Sequence, residues 1–231
     1  NNLYYIEDKN GKCVKFKMKT EQQEYYDGMH DKNVILKARQ LGFTTEMCII
    51  QLDAALFGKK HCAMIAHTRP DAERLFRNKT KYAYDRLHDD IKEMNPVSKE
   101  TTSELVFEKG GSVTVSTSFR GGTLYSLHVS EFGKICAKYP QKAKEIVTGA
   151  FEAVPLGGKI TLESTAEGRS GYFYDYCQES EKLKLQGRTL NALEWKFFFF
   201  SWWKNAEYAI PATTELSERL KEYFTKLESK H

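Results

Sequence analysis

A short basic turn near residue 40 carries residue types that suit phosphate binding. An apolar run over 33–38 predicts a buried strand, and apolar residues recur at helical spacing after Thr44 and Thr45. A strand, a turn of phosphate size and a helix that begins with two hydroxyls form the layout of a P-loop. In such a loop the backbone N–H groups and the helix N-terminus face an anion, and a Ser or Thr hydroxyl reaches Mg²⁺.

The turn departs from the pattern G-x-x-x-x-G-K-[ST] at two of the four fixed positions. Lys37 stands at the first Gly and Phe43 at the Lys, whereas Gly42 and Thr44 match. On this pattern alone, an ordinary strand–turn–helix is the better interpretation.

A carboxylate in the middle of the chain has the sequence context of a group that acts on water. Apolar residues over 124–129 lead into Ser130 and Glu131, which is a Walker B pattern with Ser in place of the usual Asp. A carboxylate at the C-terminal end of such a strand can polarise an attacking water. The alternative is a helix N-terminus, with Ser130 as N-cap and Glu131 in the first turn, and taken alone this alternative is favoured.

Together, the two segments resemble the ATPase domain of the large terminases, the motors that pump DNA into phage heads. The loop Lys-Ala-Arg-Gln-Leu-Gly-Phe-Thr-Thr at 37–45 is similar to the deviant phosphate loop of that family, in which an Arg-Gln pair precedes the Gly. The Ser-Glu pair is similar to a common variant of the family's Walker B end. The resemblance extends from about Phe16 to Pro211, and the family's nuclease domain has no counterpart.

The resemblance implies that ATP binds on the loop. Its phosphates are expected on Lys37, Ala38, Arg39, Gln40, Leu41, Gly42, Phe43, Thr44 and Thr45. Because Phe43 replaces the usual Lys, the candidates for the cation at the β- and γ-phosphates are Lys37 and Arg39.

The resemblance also implies a metal site and a catalytic set. Thr44 and Ser130 are expected to hold Mg²⁺, and Glu131 is expected to orient the attacking water. Arg120, in a loop flanked by glycines, resembles the arginine that some large terminases present to a neighbouring subunit's nucleotide. A phosphate-binding or merely solvated arginine in a glycine loop is an equally good interpretation.

Two further segments resemble functional parts of the family. Gln22, upstream of the loop, is similar to a glutamine that holds adenine; a surface Gln on an amphipathic helix is the alternative. Ser164, Thr165 and Ala166 are similar to a segment that couples hydrolysis to DNA movement, and a strand end rich in hydroxyls is the alternative.

The remaining pattern predicts the elements that position these residues. Asn10-Gly11 is typical of a hairpin turn, and Thr20 with Gln23 is typical of a capping box. The expected strands are 61–67, 104–108, 112–116, 159–166 and 194–203, and the expected helices are 21–30, 70–94, 139–153, 172–185 and 214–229. The two Trp at 202 and 203 suit base stacking, but core packing is the favoured interpretation.

Composition limits the function classes. The chain has 231 residues, 41% of them apolar, which is enough for one substantial core. A net charge of +4 is only weakly indicative of nucleic acid. The five cysteines have no zinc spacing, which favours reduced thiols in a cytosolic protein. No apolar run is long enough to span a bilayer, no signal peptide is visible, and the missing initiator Met predicts an excised fragment.

The predicted fold is a three-layer α/β P-loop NTPase of the RecA-like type, with a mainly parallel sheet and a small C-terminal lid. The expected organisation is an ATPase core over 1–185 and a strand with a lid helix over 186–231. The resemblance implies translocation of double-stranded DNA by a ring of subunits, with a portal protein and a small terminase subunit as partners. It places the protein in the host cytoplasm, attached transiently to the procapsid and to no membrane. A nucleotide-binding scaffold without turnover and a helicase-like translocase are the alternatives.

Overall fold

A computed structural model describes residues 3–209 and 215–229 of the chain. The chain divides into two compact units, 1–200 and 201–231. The strands are β1 Tyr5–Glu7, β2 Cys13–Lys15, β3 Lys32–Lys37, β4 His61–Ile65, β5 Val97–Glu100, β6 Glu104–Phe107, β7 Ser112–Ser116, β8 Ser126–Ser130, β9 Lys159–Ser164 and β10 Trp195–Phe200. The helices are α1 Thr20–Gly28, α2 Phe43–Leu56, α3 Arg69–Leu75, α4 Tyr82–Asp85, α5 Asp89–Met94, α6 Phe132–Lys138, α7 Pro140–Glu145, α8 Tyr172–Gln186 and α9 Glu218–Glu228. Two π-helical segments, Phe76–Lys81 and Ile146–Ala150, and three 3₁₀ turns, Phe151–Ala153, Trp202–Lys204 and Ala206–Tyr208, complete the set.

An eight-stranded sheet in the order β10-β3-β9-β8-β4-β7-β6-β5 forms the centre of the first unit. The strands from β10 to β7 run parallel, whereas β6 is antiparallel to β7 and β5 is antiparallel to β6. The carboxyl ends of β3, β8 and β9 therefore meet at one edge, where ligands of open α/β sheets bind. The hairpin of β1 and β2 is separate.

Apolar side chains cover both faces of this sheet, which gives three layers. Ile35 packs in a cluster with Leu52 of α2 and Tyr25 of α1. Val34, the preceding residue of β3, packs in a second cluster with Ile135 of α6 and the residues of α7 and α8. Successive strand residues point to opposite faces, and both faces are buried, as is typical of parallel sheets. The predicted fold class is confirmed.

Several predicted elements differ from the structure in their bounds. The helix predicted over 70–94 is broken: α4 ends at Asp85, and the turn at Leu87 precedes His88, whose ring nitrogen accepts from Asp90 N to cap α5. Thr20 is not the cap of α1 but its first residue. Lys19 is the N-cap, and Gln22, not Gln23, returns a hydrogen bond to it.

The C-terminal segment also differs from expectation. β10 pairs in parallel with β3 over its whole length, up to Phe200 beside Lys37, so the structure divides the chain after Phe200 and not at residue 185. The prediction that the two Trp pack in the core is wrong, because Trp202 and Trp203 are 57% and 62% exposed. The last helix, α9, begins at Glu218, and Thr214, where the pattern placed its start, lies outside the described residues. Among the described residues, none of the helices has the length and apolar character needed to cross a membrane.

Candidate active site

The predicted phosphate loop leaves β3 at the carboxyl edge of the sheet. Ala38 N donates to Phe200 O at 2.8 Å, which ties the start of the loop to β10. Gln40 and Gly42 take left-handed backbone conformations, with φ of 57° and 83°. Between them Leu41 is buried, so the loop is anchored by one apolar side chain while Gln40 stays exposed.

Gly42 is the N-cap of α2 and needs to be glycine. Besides its positive φ, a Cβ at this position would meet Gln22 Nε2 at 3.0 Å. Gln22 Nε2 donates to Gly42 O at 2.9 Å, and Gln22 Oε1 accepts from Lys19 N at 2.9 Å. The buried Gln22 therefore fastens the loop to the start of α1. Its role at adenine stays a prediction.

Phe43, at the position of the usual P-loop lysine, points into the core. It is 1% exposed and packs against Tyr25 and Phe200, with ring centroids 6.0 and 4.8 Å away. The first N–H groups of α2 have no partner within the helix, so they remain available to an anion at this end. A positive side chain that contacts a phosphate must therefore come from a position other than 43.

Lys37, the last residue of β3, is one such charge. Its Nζ lies 2.9 Å from Glu163 Oε2 and 3.5 Å from Glu131 Oε1, and its side chain is only 7% exposed. Burial alone lowers the pKa of Lys37, but the two carboxylates outweigh it and the pKa is raised, so the amine is charged. Arg39 is exposed and, together with Lys37, lines a cavity beside the loop.

Glu163, on β9, was not singled out by the sequence and lies at the centre of the site. Its Oε1 accepts from Thr44 Oγ1 at 2.8 Å and from Ser130 Oγ at 3.0 Å, and His128 Nε2 is 3.6 Å away. Burial raises the pKa of this carboxyl, but Lys37 and His128 outweigh it, and the pKa is lowered. The side chain is fully buried and carries a negative charge.

Glu131 follows β8 directly and takes a left-handed conformation, with φ of 54°. Such a backbone is strained for a residue with a side chain and is common at active sites. Ser130 is the buried last residue of β8, as the Walker B prediction requires. Burial and the nearby charge of Glu163 raise the pKa of Glu131, and Lys37 only partly offsets this.

A cavity of about 590 Å³ lies between α1, α8 and β10, away from the loop. The predicted loop and Glu131 share a second cavity, of about 520 Å³. Its lining residues are Lys37, Arg39, Gln40, Glu131, Lys134, Lys138, Thr165 and Glu167. Lys134 and Lys138 are one turn apart on α6, and sequence reasoning missed both. Their spacing after Glu131 was the available signal, because residues four apart share a helix face. The pocket has four basic and two acidic side chains, which suits a polyanion.

The other predicted residues are distributed around this pocket. Thr165 lines it, Ser164 is buried at the end of β9, and Ala166 is exposed. Arg120 lies outside the lining, in an exposed loop, with its guanidinium 3.2 Å from Glu145 Oε2. Thr45 is buried in the first turn of α2.

The hydroxyl and carboxylate groups of Thr44, Ser130 and Glu163 fit Mg²⁺. Mg²⁺ on a nucleotide is bound by one or two carboxylates, hydroxyls and waters, together with phosphate oxygens. Thr44 and Ser130 both donate their protons to Glu163, which leaves hydroxyl lone pairs for a cation. Among residues 3–209 and 215–229, no three His, Cys, Asp or Glu cluster as an all-protein metal site.

No model of a known protein family matches the chain, and no curated protein sequence matches it. Several solved structures are similar to the chain. The large terminase ATPase domain of Thermus phage P74-26 is 14% identical, with a TM-score of 0.55, over 82% of this chain and 83% of that one. The bacteriophage HK97 large terminase is 15% identical, with a TM-score of 0.60, over 89% of this chain and 42% of that one. A large terminase of another thermophilic bacteriophage, solved in complex with ATP-γ-S, is 15% identical, with a TM-score of 0.51, over 90% and 49%.

At this level of identity the likeness shows the fold: the chain has the fold of large terminase ATPase domains. The resemblance that the loop and the Ser-Glu pair indicated is thereby confirmed for the fold. The chain spans less than half of the HK97 terminase and of the ATP-γ-S-bound terminase.

Proposed function

We propose that the chain binds Mg·ATP and hydrolyses it, as the ATPase domain of a viral DNA-packaging motor of the large terminase type. The observation that carries the proposal is the group of side chains at the carboxyl edge of the sheet: Lys37, Thr44, Ser130, Glu131 and Glu163. The fold shared with large terminases supports it, and one of those proteins was solved with ATP-γ-S.

The phosphates of ATP are bound by the loop over 37–45. Backbone N–H groups at the start of α2 and the charge of Lys37 contact the phosphate oxygens, and Arg39 adds charge from the exposed side. Thr44 and Ser130 hold Mg²⁺, which neutralises negative charge on the β- and γ-phosphates. Gln22 keeps the loop in position, and adenine lies against the segment before it.

Glu131 is the residue that acts on water. Its carboxylate accepts a hydrogen bond from the water and aligns the water with the γ-phosphorus. It takes the water's proton as the water oxygen bonds to that phosphorus and the bond to the β,γ-bridging oxygen breaks, which releases ADP and phosphate. The raised pKa makes it a stronger base than an exposed carboxylate. Lys37 contacts Glu131 and belongs to the loop, so it links the base to the phosphates.

The wider assignment rests on the fold and the sequence resemblance. Hydrolysis drives translocation of double-stranded DNA through a ring of subunits, which forms on the portal protein of a procapsid in the host cytoplasm and receives DNA from a small terminase subunit. Arg120, exposed and outside its own pocket, reaches the nucleotide of a neighbouring subunit. Ser164, Thr165 and Ala166 connect the pocket to DNA movement.

One observation favours a second candidate, a nucleotide-binding scaffold without turnover. Phe43 is buried where P-loop ATPases have the lysine that contacts the β- and γ-phosphates. The two candidates differ in what they require of Glu131, because a scaffold needs no base.

Magnesium-dependent release of phosphate from ATP separates the candidates. We expect slow turnover by the wild type and a loss of about 100-fold or more in Glu131→Gln, the typical range for general acid–base catalysis. Glu108→Gln, an exposed carboxylate at the β6–β7 turn, is the matched control and keeps the wild-type rate. Equal rates in wild type and Glu131→Gln contradict the assignment, and ATP binding without turnover favours the scaffold.

A further inference from the structure

The strand that leads into Glu131 lacks the acid that normally precedes the catalytic glutamate. In P-loop NTPases an Asp on this strand acts with the Ser or Thr of the loop to hold Mg²⁺. Here that position is Ser130, whose hydroxyl has no charge. A neutral residue at this position leaves the charge of the metal uncompensated by β8.

The neighbouring strand supplies a carboxylate at the same place. β8 and β9 are parallel, and Glu163 is the register partner of Ser130. The carboxylate crosses from β9 to accept hydrogen bonds from both Thr44 and Ser130. Its contact with the hydroxyl of the loop is the one that an acid at position 130 would make.

The surroundings of Glu163 keep it charged and fixed. It is fully buried on the α2 side of the sheet, paired with Lys37 at 2.9 Å and approached by His128. A buried charge is costly unless it is paired and hydrogen-bonded, and these partners meet that condition for Glu163. Because Thr44 and Ser130 donate their protons to Glu163, the lone pairs of both hydroxyl oxygens remain available to a cation.

We infer that Glu163 replaces the missing strand acid: it is the positioning residue that orients the Thr44 and Ser130 hydroxyls for Mg²⁺ and supplies the negative charge that makes metal binding favourable. The inference rests on the proposed function, because the metal arrives with the nucleotide. Glu163 lies one strand away from the usual position of the acid and contacts the Thr44 hydroxyl.

The test is the Mg²⁺ dependence of nucleotide binding, measured without turnover. A fluorescent ADP analogue is titrated in EDTA and then at increasing Mg²⁺, which separates the metal-free affinity from the apparent Mg²⁺ affinity. Loss of a residue that orients metal ligands weakens metal affinity by about 10- to 100-fold. We expect a shift of that size in Glu163→Gln, with the affinity in EDTA changed much less.

The control and the rescue use residues that this chain provides. Glu104 on β6 makes the same kinds of contact far from the site, with Lys99 at 2.9 Å and Thr114 Oγ1 at 3.2 Å. Glu104→Gln should keep the wild-type Mg²⁺ dependence. The double variant Ser130→Asp/Glu163→Gln returns the acid to β8 and should recover the Mg²⁺ affinity, which a structural role alone would not produce.

Three outcomes overturn the inference. Wild-type Mg²⁺ affinity in folded Glu163→Gln does so while leaving the proposed function intact. If that variant does not fold, Glu163→Asp keeps the charge beside Lys37 and shortens its reach to the two hydroxyls, so an unchanged Mg²⁺ affinity in Glu163→Asp shows that Glu163 does not orient them. Absence of nucleotide binding by the wild type in both EDTA and Mg²⁺ contradicts the proposed function itself, and the inference falls with it.

Discussion

Lys37 lies between two carboxylates that differ in burial. The removal of Lys37 therefore affects the two carboxylates differently. Glu163 is fully buried, whereas the Glu131 side chain is 35% exposed. Without Lys37, Glu131 can turn to solvent, but Glu163 keeps a buried charge with one fewer positive partner.

Lys37→Met should therefore lower stability as well as nucleotide affinity. Removing one partner of a buried ion pair costs about 3–5 kcal/mol in the free energy of unfolding. Thermal melting of Lys37→Met against Lys37→Met/Glu163→Gln measures it: the second change should restore part of the lost stability by removing the unpaired charge. If the double variant is no more stable than the single one, Lys37 does not neutralise the charge of Glu163 in the folded protein.

Glu46 is a second buried acid, and it makes stability depend on pH. It is fully buried in the first turn of α2, and both of its carboxyl oxygens lack a hydrogen-bond partner among the described residues. Burial raises its pKa to about 9 from 4.5. The folded state then holds a proton that the unfolded state releases, so the free energy of unfolding falls as pH rises from 4.5 to about 9.

Glu46→Gln removes this titration with little change in shape. We expect the melting temperatures of Glu46→Gln and wild type to diverge as pH rises from 6 to 9, with the variant more stable at the upper end. The corresponding difference in the free energy of unfolding changes by up to about 1.4 kcal/mol per pH unit. Glu108→Gln, an exposed carboxylate, should parallel the wild type. Parallel curves for Glu46→Gln would mean that Glu46 is ionised in the fold.

At the scale of the element, α6 presents two charges to the cavity beside the loop. Lys134 and Lys138 lie four residues apart on the helix that begins just after Glu131. Their positions follow from the left-handed turn at Glu131, which sets the direction of α6. The two lysines thus supply charge from α6 to a cavity whose loop lacks the usual lysine.

The double variant Lys134→Ala/Lys138→Ala should weaken ATP binding by about 1 kcal/mol or less per lysine, the range for exposed charge pairs. It should also make the affinity less sensitive to salt, because fewer charges contact the phosphates. Lys144→Ala, an exposed lysine on α7, is the matched control. An ATP affinity and salt dependence equal to those of the control would remove α6 from the site.

The elements also show what the sequence was able to predict. β3, the loop and α2 form one continuous segment, so the pattern of residues 33–52 was sufficient. Ser130 and Glu131 are adjacent in the same way. Glu163 was missed because its role depends on the register of β9 against β8, and parallel strands far apart in sequence carry no local signal of register. The boundary after Phe200 was missed for the same reason, since only pairing with β3 assigns β10 to the sheet.

At the scale of the whole molecule, every residue that lines the pocket belongs to the first unit. Arg120 belongs to the same unit but does not line the pocket. The arginine stands in a loop with two positive-φ glycines, Gly121 and Gly122, and its side chain is 70% exposed beside Glu145. An arginine placed this way can serve the pocket of another copy of the chain without disturbing its own fold.

The dependence of the ATPase rate on protein concentration tests this arrangement. If Arg120 completes the site of a neighbour, the rate per subunit rises with concentration, because association supplies the missing charge. Arg120→Ala mixed into wild type at a fixed total concentration should then depress the rate more than its own fraction accounts for. Glu145→Gln, which frees the guanidinium from its partner in this chain, should not depress it. A low rate per subunit that is independent of concentration and unchanged by Arg120→Ala would mean that the subunit hydrolyses ATP with its own residues alone.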